Sequence, residues 1–235
     1  MFKTLHIPAS VALLLAVATA AAAPREGEWV SYRDAYRTMV VFEKYGKPKN
    51  LIQNHFQVAP KDRRIAFDGV QLALKGKTVQ INLALDATGR VTFFPLLKAA
   101  YDENAELVLS RHLGPLSFRS RVSIVARADG VYEAAELRAA CEQALAYQRH
   151  ADAALRGKKC VGVRFAFAPK TTGVNIKLRA ADGVAPVGLP VVDGAAFADE
   201  PGEGFRTVNY RFGALPDTAQ VLTQDAPLAI APLFE

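Results

Sequence analysis

The sequence contains one short pattern twice, and the segments around the two copies follow the same order. Residues 56–61 and 165–170 share the pattern Phe-x-x-Ala-Pro-Lys. Each copy comes after a helix-like segment and is followed by Gly-Val-x-(Leu/Ile)-x-Leu, at residues 69–74 and 173–178. A repeated order of elements constrains the fold more than any single residue does, because both copies are expected to form the same supersecondary unit. We therefore predict two related halves and, as their origin, an internal duplication.

The unequal spacing of the two copies leaves the register of the repeat open. In one alignment the two Gly-Val segments match each other. In the other, residues 79–83 match residues 174–178, and Pro95 matches Pro190. Either alignment predicts about one more hairpin in the first half than in the second. The alternative to duplication is that β-proteins reuse a strand followed by proline without common ancestry.

Two segments have the apolar period of a helix. The first begins at Tyr32 and ends before Gly46. The second runs from Tyr132 to about Leu155, and Gly157 then provides a typical C-terminal stop.

Most of the remaining chain alternates apolar and polar residues with a period of two, which is typical of antiparallel strands with one buried face. In this pattern His55 is expected to face solvent. Residues 184–204 are rich in Pro, Gly and small residues and are expected to form a long surface loop. We predict an α+β fold, mainly antiparallel β, in which residues 24–130 and 131–235 are two related β-rich halves, each preceded by a helix.

The N-terminus has the three parts of a secretory signal peptide. Lys3 supplies the positive charge, residues 11–17 the apolar segment, and residues 18–23 the small side chains that a signal peptidase requires. The apolar segment is too short for a retained membrane span. We therefore expect residues 1–23 to be removed from a periplasmic or secreted protein that has no membrane span afterwards.

Composition limits the class of protein and of partner. A hydrophobic content of 51% with 22% charged residues is typical of a globular domain with an ordinary core. The formal net charge is +6, and loss of Lys3 with the signal peptide would lower it by one. A net positive charge of this modest size favours contact with anionic groups but does not require nucleic acid as a partner. An exported protein is in any case not expected to meet nucleic acid.

The chain has two cysteines, Cys141 and Cys160. In an exported protein an even number of cysteines predicts a disulfide. The two do not form a Cys-x-x-Cys redox motif, and without neighbouring histidines they predict no zinc site. Because Cys141 lies on the apolar stripe of the second helix, we expect the disulfide to join this helix to the strand that begins near Cys160.

Three arginines form the most informative surface feature of the sequence. From residue 117 onward, alternation places Phe118 and Val122 on one face of a strand and Arg119, Arg121 and Arg127 on the other. Guanidinium groups in a row suit bidentate contact with carboxylate or phosphate. We predict Arg119, Arg121 and Arg127 to be an anion-binding row, and the alternative is that they only solvate the outer face of the strand.

Catalytic signatures are missing from the sequence. It contains no GxSxG nucleophile elbow, HExxH, P-loop or GxGxxG motif, so we assign no catalytic residue, metal ligand or cofactor. This favours a non-enzymatic binding or structural protein of the cell envelope that contacts an anionic envelope component or a protein partner. Two alternatives stay open: an envelope hydrolase using His55 or His112 with nearby carboxylates, and a secretion- or pilus-associated subunit that pairs through a strand edge.

Overall fold

The computed structural model describes residues 29–62, 65–180, 184–200, 202–213 and 216–235. The signal segment expected at residues 1–23 lies outside these residues. The helices are α1 (Tyr32–Lys44), α2 (Lys98–Asp102) and α3 (Ala134–Ala151), and a 3₁₀ turn (Ala153–Gly157) follows α3.

The described residues form fourteen strands. They are β1 (Trp29–Ser31), β2 (Ile52–Pro60), β3 (Leu72–Lys75), β4 (Gln80–Leu83), β5 (Glu106–Leu109), β6 (Leu116–Ile124), β7 (Val131–Glu133), β8 (Cys160–Phe167), β9 (Ile176–Arg179), β10 (Val187–Gly188), β11 (Val192–Gly194), β12 (Phe205–Arg211), β13 (Gln220–Thr223) and β14 (Ala229–Phe234). All the strand pairs are antiparallel. The predicted α+β fold, mainly antiparallel β, is confirmed.

The strands form one large sheet and two small ones. The large sheet has six strands in the order β11-β12-β8-β14-β6-β2. The small sheets have four strands each, in the orders β1-β5-β3-β4 and β10-β9-β13-β7. The large sheet therefore draws strands from both halves of the chain, whereas each small sheet belongs to one half.

In each half of the chain, a helix and a small sheet pack against the large sheet and form a hydrophobic core with it. In the first half, Met39 of α1 and Phe56 of β2 share a core with Leu72 and Leu107 of the small sheet. In the second half, Leu137 and Cys141 of α3 pack with core residues of β8 and β13. Helical spacing on α3 and alternation on the strands thus place their apolar residues in the same two cores.

Strand order and helix position correspond in the two halves. Each runs from a short strand (β1 or β7) through a helix to a strand of the large sheet (β2 or β8), then builds its small sheet and returns to the large sheet (β6 or β14). The two copies of Phe-x-x-Ala-Pro-Lys begin in β2 and β8, and Gly69 and Gly173, which precede β3 and β9, have φ of +71° and +72°. The topology favours the alignment that matches the two Gly-Val segments. Common ancestry of the halves stays a prediction.

Three expectations drawn from the repeat and from composition were wrong. The first half has no extra hairpin, because the paired residues Leu85 and Val91 lie where the second half has β11 and β12. Pro95 follows that hairpin, whereas Pro190 precedes its counterpart, so the two prolines do not correspond. Residues 184–204 are not only loop, since they contain β10 and β11, which pair with β9 and β12.

The predicted disulfide is confirmed. Cys141 and Cys160 are bonded across a separation of 19 residues and join α3 to β8. Within the described part of the chain, no helix combines the length and the apolar character needed to cross a membrane.

Candidate functional site

The large sheet opens between two of its neighbouring strands, β6 and β14. β6 pairs with β2 along its full length, from Leu116 to Ile124. β14 pairs with β8 from Ala229 to Phe234. In contrast, Ile124–Ile230 is the one register pair between β6 and β14 among the described residues. The two strands therefore meet at one end and separate at the other.

A proline in β14 accounts for the separation. Continuing the antiparallel register from the Ile124–Ile230 pair by two residues would set Val122 opposite Pro232. Proline has no backbone N–H, so Pro232 cannot donate the ladder hydrogen bond to the Val122 carbonyl, and proline in a sheet is largely confined to edges and bulges. The side of β14 that faces β6 beyond Ile230 thus behaves as an edge within the sheet.

The separation leaves backbone groups of β6 directed into the gap. On the other side of β6, Val125 N–H donates to the Leu51 carbonyl (3.0 Å) and Lys61 N–H to the Pro115 carbonyl (2.8 Å). Hydrogen-bonded pairs alternate along an antiparallel ladder, so these two bonds fix the phase: odd-numbered residues of β6 bond to β2 and even-numbered residues point away from it. The N–H and C=O groups of Ser120 and Val122 therefore face β14 across the gap.

A cavity of about 650 Å³ occupies this gap, which we call the cleft. β6 and β14 form its two walls, α1 and α3 close its helix side, and residues 197–199 lie on the opposite side. Its lining is Thr38, Val41, Arg119, Ser120, Arg121, Val122, Tyr147, Gln148, Ala151, Asp152, Leu155, Lys158, Phe197, Ala198, Asp199, Ala231, Pro232 and Phe234. A volume of this size lies in the range typical of ligand pockets, roughly 300–1,000 Å³.

Arg121, one of the predicted anion-binding residues, is the main charged group of the cleft. Its side chain is only 10% exposed. One guanidinium nitrogen contacts both carboxylate oxygens of Asp199 at 2.8 Å, another contacts Glu200 at 2.7 Å, and Nε donates to Gln57 (3.0 Å). The guanidinium carbon lies 4.4 Å from the centre of the Phe197 ring, which adds a cation–π contact.

Arg119 joins the same cluster from two residues away. Its Nε donates to Gln57 at 3.0 Å, and its terminal nitrogen forms a short ion pair with Glu200. Its side chain is one-third exposed (33%), whereas that of Glu200 is 10% exposed. Arg119 and Arg121 therefore share a buried carboxylate, and Arg119 keeps part of its surface toward the cleft.

Phe197 and Glu200 belong to residues 195–200, which we call the covering segment because it lies over the outer face of the large sheet. Phe197 is 1% exposed and packs with Ala166, Ala229 and Ala231 of that face. A second arginine, Arg90, lies 5.5 Å from the same ring. The covering segment thus holds Arg121 on the sheet by apolar packing and by charge together.

Arg90 forms a separate buried ion pair with Asp86. The shortest distance is 2.8 Å, and the two side chains are 4% and 13% exposed. The Asp86 carboxylate also accepts hydrogen bonds from the backbone and hydroxyl of Thr88 (2.8 and 2.6 Å). Arg90 donates to the Leu228 carbonyl at 2.5 Å, so the pair links the first half of the chain to the start of β14.

The histidines considered for a hydrolase lie in different settings. His55 does not face solvent as expected: its Nδ1 lies 3.1 Å from the Val91 carbonyl, and its Nε2 is buried without a hydrogen-bond partner. Alternation correctly placed His55 on the face of β2 opposite Ile52 and Phe56, but the hairpin containing Arg90 and Val91 covers His55 on that face. Burial, with the charge of Arg90 second, lowers the pKa of His55. His112 lies in the exposed turn between β5 and β6.

Arg127 lies apart from the other two predicted arginines. It follows the end of β6, where it pairs with Asp129 at 2.7 Å and with Glu136 at 3.3 Å. The hydrogen bond from Arg127 lowers the pKa of Asp129 to about 2, and the same contact raises the pKa of Arg127. The expected row of three arginines on one strand face was therefore wrong in its third member.

The sequence patterns do not predict the residues that complete this cluster, which are Gln57, Phe197, Asp199 and Glu200. A signal was present, because Asp199 and Glu200 are adjacent acidic residues in a segment otherwise rich in small ones. Their partners lie about 80 residues earlier in the chain, at separations of 78 and 79 for Arg121. Nothing local in the sequence connects the two.

Comparison with known proteins does not identify a family for the chain. No family model, no curated protein and no solved structure matches it. In the described residues, no group of three or more His, Cys, Asp or Glu side chains is arranged to hold a metal ion. We therefore infer the function from the geometry of the cleft.

Proposed function

We propose that this protein is an exported, non-enzymatic binding protein of the cell envelope, and that it binds an anionic group of its ligand in the cleft. One observation carries the proposal: the cleft of about 650 Å³ is bordered by Arg119 and Arg121, and the carboxylate that meets Arg121 from the cleft side belongs to the exposed residue Asp199. The ligand group is a carboxylate or a phosphate, since both match the bidentate geometry of a guanidinium group.

The unequal exposure of the two acidic residues supports exchange with a ligand. Asp199 is 62% exposed, whereas Glu200 is 10% exposed. Glu200 thus stays as the permanent partner of Arg119 and Arg121. Asp199 occupies the cleft side of Arg121, and its mostly exposed carboxylate can return to water when it leaves, while Glu200 continues to pair with the buried Arg121. A ligand anion can take its place while Phe197 continues to support the guanidinium group.

Export is supported by two independent features of the chain. Residues 1–23 have the composition of a signal peptide, and Cys141 is bonded to Cys160. Disulfides of this structural kind persist in oxidising compartments such as the periplasm. An envelope ligand with carboxylate or phosphate groups would meet a basic protein there.

The test compares Asp199→Asn with Asp193→Asn. Both aspartates pair with an arginine and both side chains are 62% exposed, but Asp193 pairs with Arg206 away from the cleft. Each mature variant is immobilised and incubated with detergent-solubilised envelope from the native cells, at low and at high salt. Loss of the competing charge in Asp199→Asn is expected to increase retained ligand several-fold at low salt, and high salt is expected to reduce the increase.

The outcome distinguishes the sources of the anion. If protease treatment of the extract abolishes retention, the ligand is a protein. If retention survives protease, the anion is a phosphate or carboxylate of a lipid or polysaccharide. If Asp199→Asn retains no more ligand than wild type and Asp193→Asn, the cleft is not the binding site. Arg127→Gln provides a second control, since it removes a positive charge outside the cleft.

A further inference from the structure

The open edge of β6 limits what kind of ligand can fill the cleft. Ser120 and Val122 direct their backbone N–H and C=O groups into it, and in the described residues the register of β14 on β6 stops at Ile124–Ile230 and does not extend to them. Groups of this kind are satisfied best by the backbone of another extended chain, which offers donors and acceptors with the same repeat.

The charge of the cleft adds a second requirement. Arg119 and Arg121 project from the same strand as Ser120 and Val122, and alternation places their side chains on the outer face of the sheet. A strand added beside β6 would have side chains on that same face at every second position. One acidic side chain there, or a C-terminal carboxylate, would meet Arg121 in place of Asp199.

From these two features we infer that the cleft binds an extended polypeptide segment of a partner protein, by strand addition to the edge of β6, with a carboxylate of the segment on Arg121. This inference rests on the proposed function and names the class of ligand. The four consecutive lining residues 119–122 span about 13 Å at ~3.3 Å per residue, which suits a segment of about four residues. Pro232 keeps β14 from closing the site.

The test uses peptides selected on the mature protein from a displayed random peptide library. A selected peptide is synthesised in three forms: unmodified, with its acidic residue changed to the amide, and N-methylated at backbone positions. We expect the unmodified peptide to bind and each changed form to bind at least about tenfold more weakly, the first through loss of the charge-assisted contact and the second through loss of ladder hydrogen bonds.

Amide hydrogen exchange provides a readout that does not depend on a variant that might fail to fold. Bound peptide is expected to slow exchange at Ser120 and Val122 by about tenfold or more, and to leave the strand β4, at the edge of another sheet, unchanged. Val122→Pro tests the same backbone contact by substitution, because it removes an N–H that points into the cleft and leaves the hydrogen bonds between β6 and β2 intact.

Each contrary result overturns a stated part. If peptides bind without protecting Ser120 and Val122, or the N-methylated form binds equally well, strand addition is wrong. If the amide form binds equally well, the contact with Arg121 is wrong. If no peptide binds at the cleft while envelope material still responds to Asp199→Asn, the partner is not a polypeptide and only the proposed function survives.

Discussion

Replacing Phe197 with alanine tests how the covering segment holds the arginine cluster. The ring is 1% exposed and its buried neighbours on the sheet are alanines, Ala166, Ala229 and Ala231, with the partly buried Phe205 packed against the same cluster. Alanine side chains cannot rotate to fill the space that the ring leaves. A buried Phe→Ala substitution with little relaxation costs about 3–5 kcal/mol in the free energy of unfolding.

The loss of free energy in Phe197→Ala has two parts, the apolar volume of the ring and its cation–π contacts with two guanidinium groups. Arg121 and Arg90 lie 4.4 and 5.5 Å from the ring centre, and each cation–π contact contributes roughly 0.5–2 kcal/mol. Phe197→Leu keeps most of the apolar volume and loses the aromatic face. It is therefore expected to cost about 1–2 kcal/mol, clearly less than the alanine variant.

Urea unfolding monitored by circular dichroism measures both variants against wild type, with the slope m used to check that the unfolding remains two-state. A Phe197→Leu variant as stable as wild type would contradict the cation–π contribution, and equal losses in the two variants would contradict the contribution of apolar volume. A loss below about 1 kcal/mol for Phe197→Ala would refute the reasoning as a whole, because a buried ring with these neighbours cannot be removed at so small a cost.

Three further predictions concern stability. Replacing Cys141 and Cys160 together by alanine should lower the free energy of unfolding by about 3 kcal/mol, as reduction of the wild-type protein should, and an unchanged urea midpoint would contradict this. Asp86→Ala should lower the free energy of unfolding by about 3–5 kcal/mol, because it leaves the buried Arg90 without its carboxylate partner. Asp34→Ala, which removes the partner of Arg37 in a pair about two-thirds exposed, should lower it by at most about 1 kcal/mol. Equal effects of the two substitutions would contradict the role of burial. The pKa of His55 is lower in the folded state than its ordinary value of 6.5, so the unfolded chain binds a proton at this histidine more readily than the folded protein does. The free energy of unfolding should therefore fall as pH decreases through about 6.5, and the urea midpoint of His55→Asn should lack the part of the decrease that is due to this histidine.

Periodicity predicted the parts of the fold that depend on nearby residues. Leu137, Cys141 and Leu145 recur at helical spacing, and all three are buried on α3. Alternation placed Arg119 and Arg121 on the same face of one strand, as the structure has them. In these cases the neighbours that decide burial are a few positions away, so the pattern carries the necessary information.

The candidate site depends on pairings that local patterns do not encode. Glu200 reaches Arg119 and Arg121 across the large sheet, and the hairpin of Arg90 covers His55. The separation of β6 from β14 has one local signal, Pro232 within the last strand. That signal becomes interpretable only when the neighbouring strand is known, because a proline affects a sheet only where its missing N–H would have been needed.

The measurement that tests the central claim most directly is amide hydrogen exchange of the mature protein with and without solubilised native envelope, read segment by segment. Binding in the cleft predicts slower exchange in residues 118–122 of β6, with the segment around Arg127 unchanged. Slower exchange confined to the surface around Arg127, to the small sheets, or to no segment at all would contradict the claim that the cleft is the binding site.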